Sequence, residues 1–169
     1  DPTPERLDLR RRQRGHLGVG RRHALVVGVA GDEQPQFALL ARAGNDATIV
    51  TCGMMVGFSE KAADKLAEED IGCDVIDLRS TSPLDEEAIL DSVEQTGRLI
   101  IVDESPPRCS LATDIAALVS EKAFASLKAP PALVTAPHTP IPFARELESA
   151  YLPSPAKIEA AVRKTLAWR

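Results

Sequence analysis

Two short stretches hold the side chains best suited to chemistry. "VDESPPRCS" (Val102 to Ser110) carries Asp103, Glu104, Arg108 and Cys109, and "APHTPIPF" (Ala136 to Phe143) carries His138, Pro140, Pro142 and Phe143. Two carboxylates suggest acid–base work, but neighbours in an extended chain project to opposite faces. Asp103 and Glu104 therefore do not converge on one substrate. Glu104 and Arg108 are better suited to an ion pair that fixes the loop. Cys109, near a helix start, is a nucleophile only if a base serves it, and His138 is the one plausible base. A Cys109–His138 hydrolase has no local signature behind it. The residues favour structural or interface use over catalysis, and the prolines of "HTPIPF" suit a rigid docking surface because they lower the entropy lost on ordering.

Other chemistries find less support. No Cys or His residues lie at metal-ligand spacing. "GHLGVG" neither follows a strand nor ends in Lys-Ser/Thr, so it is a poor phosphate loop. "TCGMMVGFSE" has glycines at 53 and 57, the wrong spacing for a dinucleotide turn, and no acidic ribose partner is evident.

The elements that position these stretches follow from periodicity. "QFALLARAG" reads as an edge strand ending at Gly44. "ATIVTC" is a short apolar, β-branched run, the mark of a buried strand, and "CDVIDL", "RLIIVDE" and "PALVTAP" read as the strands that follow it. Between them, "SEKAADKLAEED" reads as a helix capped by Ser59, with Ala62, Ala63, Leu66 and Ala67 on one face. "DEEAILDSVEQTG" reads as a helix with acidic residues at its start and Gly97 as its stop. "LATDIAALVSEKAF" has Leu111, Ile115, Leu118 and Val119 on one stripe. "SPAKIEAAVRKTL" starts with the cap Ser154 and Pro155 at the first helical position. "HTPIPF" is a loop ruled by its prolines. Apolar strands alternating with amphipathic helices imply an α/β fold, a three-layer α/β/α sandwich. Its five-stranded sheet is mostly parallel and leaves room for one antiparallel edge strand. Ligands and partners then meet the carboxyl ends of the strands, where "DLRSTSP", "VDESPPRCS" and "HTPIPF" lie. The expected interface set is Ser80, Pro83, Asp103, Glu104, Arg108, Cys109, His138, Pro140, Pro142 and Phe143.

Composition bounds the alternatives. The chain has 169 residues, 44% hydrophobic and 27% charged, with only 4% aromatic, so its core is built from Ala, Val, Ile and Leu. Residues 1–35 carry seven Arg against five Asp and Glu, which leaves the remainder at net −7. An acidic body argues against nucleic acid as partner. Residues 1–35, including the basic run "RRRQRGHLGVGRR" and a short strand-like "HALVVGVAG", read as a poorly defined arginine-rich arm; residues 36–169 read as one domain. Three widely separated Cys, with Cys52 and Cys73 in strand-like runs, suggest reduced thiols and a cytoplasmic protein. No run approaches the ~20 apolar residues of a membrane span, and the arginine-rich start lacks the apolar core of a secretory signal.

"VIDLRSTSPLDEEAI", "GRLIIVDE" and "TPIPF…LE…YLPSPAKI", within the span from Arg42 to Leu166, resemble the carboxyl-terminal domain of the beta subunit of thiamine-diphosphate-dependent 2-oxo acid dehydrogenases, a domain of the transketolase superfamily. "DESPPRCSLATDI" and "APHTPIPF" look most like the acetoin-cleaving branch. Pyruvate and branched-chain relatives usually carry a glycine-rich loop at Arg108-Cys109-Ser110 and tend to have Asp at the position of His138. The resemblance implies cleavage of acetoin or a 2-oxo acid, with acyl transfer to lipoyl groups. It implies thiamine diphosphate and a divalent metal in the full complex, with none bound by this chain alone. It also implies a second beta chain, an alpha subunit and the subunit-binding domain of a lipoyl acyltransferase as partners. The family's pyrimidine-binding domain, source of the activating glutamate, is not recognised in residues 1–35, so the chain is expected to be inert alone. A stand-alone α/β protein-interaction domain is the alternative.

Overall fold

The computed structural model describes residues 37–168. The arm, its basic run, the strand at 23–31 and the "GHLGVG" loop lie outside the described residues. In chain order the elements are β1 (Ala38–Arg42), β2 (Ala47–Thr51), α1 (Met55–Ala67), β3 (Cys73–Leu78), α2 (Glu86–Thr96), β4 (Leu99–Asp103), α3 (Leu111–Lys122), a 3-10 turn (Phe124–Ser126), β5 (Ala132–Thr135), α4 (Arg145–Tyr151) and α5 (Pro155–Leu166). The strands form one sheet in the order β1-β3-β2-β4-β5. β2, β3, β4 and β5 are parallel, and β1 lies antiparallel along β3. This is the α/β architecture with one antiparallel edge strand that the alternating pattern implies.

β2, β3 and β4 are buried along their whole length, because both sheet faces are covered. Successive side chains alternate between faces. Ala47, Ile49, Cys73, Val75, Ile100 and Val102 pack against Leu66 of α1 and Ile158 and Val162 of α5. Val50, Ile76, Leu78, Leu99 and Ile101 pack against Ile89 and Val93 of α2 and Ile115 and Val119 of α3. Three layers result, with two helices on each face.

Local chemistry sets most boundaries. Asp85 Oδ1 accepts the Ala88 N–H at the start of α2, and Gly97, with φ of 72°, ends that helix in the left-handed region. Ser110 and Thr113 form a reciprocal capping box on α3. Ser154 Oγ accepts the Lys157 N–H ahead of Pro155.

Two expectations are corrected, and one helix was not expected. Ser59 does not cap α1. Gly53, with φ of 58°, turns the chain directly off β2, so the helix begins at Met55 and ends at Ala67. Ser59 then falls in its interior, fully buried. The strand-like runs of Cys52 and Cys73 suggest small core residues at both; Cys73 is buried, whereas Cys52 lies half-buried beyond the end of β2, packed against the margin of the core. Finally, α4 carries no apolar stripe to betray it: of its seven residues only Tyr151 is buried.

Candidate functional site

The carboxyl ends of the strands form one rim, and each end is shaped by its own sequence. At the end of β4 the chain's alternation separates the two carboxylates. Asp103 is buried at 7% exposure, and Glu104 is exposed. Asp103 Oδ1 accepts the Ser105 N–H at 2.8 Å, and Ser105 in turn offers its carbonyl to the Ala136 N–H at 3.2 Å. These two bonds tie the β4 loop to the end of β5. The expected Glu104–Arg108 ion pair does not form; both side chains are exposed, and no salt bridge among the described residues includes either. Two consecutive prolines, Pro106 and Pro107, already restrict the loop between them, so no ion pair is needed to hold it. Cys109 follows, exposed and with φ of 51°, in the left-handed region that a non-glycine residue rarely occupies.

At the end of β3, Asp77 is buried and pairs with Arg79 at 2.5 Å. Ser80 is half-buried and Pro83 exposed, the latter after a cis peptide bond. Cys52 sits between the ends of β3 and β4. Burial pushes its thiol pKa up, and the Asp103, Glu104 and Asp77 carboxylates add to that effect. This disfavours a thiolate, and so disfavours Cys52 as a nucleophile.

Beyond β5 the chain leaves the body of the domain. His138, Pro140 and Phe143 are exposed and Pro142 is half-buried. Phe143 is fully exposed, Ile141 is 74% exposed and Leu147 is 60% exposed. The excursion is anchored at its far end, where Tyr151 is buried and Lys157 Nζ donates to the Ala150 and Leu152 carbonyls at 3.1 and 2.9 Å. Sequence reading singled out Phe143 but missed Ile141 and Leu147. The signal was present: three large apolar residues in a segment with too few partners of its own to bury them.

The rim therefore brings the β3, β4 and β5 loops to one end of the sheet. It does not bring Cys109 and His138 into a hydrogen bond. Among the described residues no group of three or more His, Cys, Asp or Glu is placed to hold a metal ion. No described helix is long and apolar enough to cross a membrane.

Comparison with known proteins accounts for this layout. The family described as "Transketolase, C-terminal domain" matches residues 37–158. The chain belongs to that family. It is 52% identical over 129 residues to the beta subunit of acetoin:2,6-dichlorophenolindophenol oxidoreductase of Cupriavidus necator, covering 76% of this chain and 38% of that protein. It is equally 52% identical, over 127 residues, to the Bacillus subtilis protein of the same description, covering 75% and 37%. A pyruvate dehydrogenase E1 component subunit beta of Leifsonia xyli is 44% identical over 129 residues, covering 76% and 38%. Among solved structures, a split gene transketolase described as an inactive beta4 tetramer superposes with a TM-score of 0.69 at 27% identity, covering 82% of this chain and 44% of that one. This transketolase C-terminal domain chain thus spans less than two-fifths of the length of these curated relatives.

Proposed function

We propose that this transketolase C-terminal domain works within a beta subunit of a thiamine-diphosphate-dependent dehydrogenase that cleaves acetoin or a 2-oxo acid and passes the acyl unit to lipoyl groups. Its own task is assembly: contact with a second beta chain and an alpha subunit, and docking of the lipoyl acyltransferase. The observation that carries this reading is the 52% identity to two acetoin oxidoreductase beta subunits. The rim supports it, because it holds exposed Glu104 and Arg108, with no ion-pair partner among the described residues, and the loop after β5 holds exposed Ile141 and Phe143. Large apolar side chains left in water favour association.

Thiamine diphosphate supplies the carbanion chemistry in such a complex. The rim does not fit its diphosphate: Asp77, Asp103 and Glu104 cluster about Cys52, and carboxylates repel a polyanion. No catalytic step is assigned to this chain's residues. Its part is to present loops of fixed shape to neighbours, with proline restricting the backbone and the Ser105–Ala136 bond joining two of them. The same reading makes the isolated chain catalytically inert and cytoplasmic.

The test is calorimetric titration of the chain with the subunit-binding domain of a lipoyl acyltransferase. Saturable binding is expected. No binding by folded chain, or acetoin-dependent dye reduction by the chain alone, overturns the corresponding half of the proposal. A folded chain that binds some other protein and not the acyltransferase domain favours the stand-alone interaction domain.

A further inference from the structure

The loops after β4 and β5 leave the sheet by one shared device. The paired residues of the two strands end at Asp103 and Thr135. Just beyond, both chains run into prolines, which carry no N–H. Ser105 holds the last backbone donor before Pro106 and Pro107, and Ala136 holds the last before Pro137. Both donors are engaged in a single relay. The Ser105 N–H donates to Asp103 Oδ1 at 2.8 Å, and the Ala136 N–H donates to the Ser105 carbonyl at 3.2 Å. The first bond joins an aspartate side chain to the amide two residues on, a turn that mimics a backbone turn. Asp103 is 7% exposed and Ala136 1% exposed, so the relay begins and ends inside. Beyond it Glu104, Arg108, Cys109, His138, Ile141 and Phe143 are exposed. Proline fixes φ, so a change of direction at Ser105 or Ala136 is carried out along each loop rather than absorbed within it.

We propose that Asp103 is a positioning residue that couples the two rim loops. Its carboxylate shapes the turn at Ser105, that turn aims the Ser105 carbonyl at Ala136, and the two loops then present their exposed side chains as one surface. The sequence places Asp103 among the interface residues beside Glu104; the structure gives the two different work. Glu104 is offered to a neighbour, whereas Asp103 touches no partner and acts through the loops it holds. The coupling of the loops stands on these two hydrogen bonds alone. Its consequence for binding rests on the docking role proposed above.

The experiment uses the whole chain and three variants at one position. Asp103→Asn keeps the acceptor at the same reach and loses the charge. Asp103→Glu keeps the charge and is one methylene too long for the turn. Asp103→Ala keeps neither. Amide exchange followed by NMR is expected to quicken roughly tenfold at Ser105 and Ala136 in the alanine and glutamate variants, with Ile49 and Val75 unchanged. The asparagine variant is expected to exchange like the native chain. Native exchange at Ala136 in folded Asp103→Ala overturns the proposal. Quickening that extends evenly to Ile49 and Val75 does the same, because it marks a general loss of stability. Retention in the glutamate variant with loss in the asparagine variant also overturns it, by assigning the effect to charge. Should the alanine variant not fold, the asparagine and glutamate pair decides. By calorimetry, Asp103→Ala is expected to weaken binding of the acyltransferase domain about fivefold in the native background and less than about twofold beside Phe143→Ser, where the positioned contact is already gone. Equal losses in the two backgrounds contradict the coupling. A native chain that does not bind that domain overturns the docking role, and the exchange comparison then decides the coupling by itself.

Discussion

The two ends of the sheet are built on opposite plans. At the amino ends of β2 and β3 a cluster of polar side chains is enclosed and paired. Thr48 Oγ1 meets the Ser92 and Thr96 hydroxyls at 2.7 and 2.8 Å, Ser92 Oγ donates to Asp74 Oδ2 at 2.5 Å, and Asp74 Oδ1 accepts the Gly44 N–H at 2.7 Å. All four side chains are buried. At the carboxyl ends Glu104 and Arg108 reach solvent without an ion-pair partner among the described residues, and Ile141 and Phe143 are exposed. A satisfied buried network rigidifies the end that contains it, which leaves the other end to be shaped for association. Substitutions at the amino ends are therefore expected to cost stability, and substitutions at the rim to cost binding.

The largest loss of stability is expected from Gly44→Ala. A Cβ there falls 2.3 Å from the backbone of Gly72 and Cys73, a clash that no side-chain rotation relieves. Urea unfolding should register a loss of about 3 kcal/mol or more. A fully stable variant breaks the comparison at its foundation. Ser92→Ala comes next: it leaves the Asp74 carboxylate and the Thr48 hydroxyl each short of a partner, at about 1–3 kcal/mol, with acyltransferase binding unchanged wherever the chain is folded.

Cys73 sharpens the comparison through pH. Burial holds its thiol at about 12, against an ordinary 9.0. The unfolded chain therefore releases this proton near pH 9 and the folded chain only near 12. Its folded pKa is raised, so the contribution is intact below about pH 9 and declines as pH rises from 9 towards 12. The alkaline fall of the urea midpoint should be shallower in Cys73→Val than in the native chain. Equal slopes contradict the assignment. The smallest effect on folding is expected from Phe143→Ser. A fully exposed ring has little folded-state packing to lose, so stability should stay within about 0.5 kcal/mol, while calorimetric affinity for the docking partner falls at least tenfold. A drop in melting temperature without a change in affinity inverts the comparison.

Much of the frame was legible. "CDVIDL" became β3 residue for residue, since a β-branched run buried on both faces has few other solutions. The Asp85, Ser110 and Ser154 starts and the Gly97 stop were legible because caps are chemistry within a few residues of chain. The rim was legible as a set of strand ends, because connections of parallel strands put them there. The Glu104–Arg108 pair was not: residues four apart meet on a helix, whereas here two prolines intervene. The starting point of α1 was hidden because Ser59 and Glu60 imitate a helix start, while the turn is made by Gly53.

By itself the sequence determined that strands and helices alternate, that the sheet is buried on both sides, and which loops share one end of it. Those properties follow from periodicity and caps, which act over a few residues. Only the tertiary structure decided that Asp103 turns inward beside Cys52 and the start of α3, that Thr48, Ser92, Thr96 and Asp74 close the opposite end, and that Ile141, Phe143 and Leu147 remain uncovered. Each of these depends on residues from different elements arriving at one place, and the packing of helices on the sheet, rather than any local preference, sets that meeting.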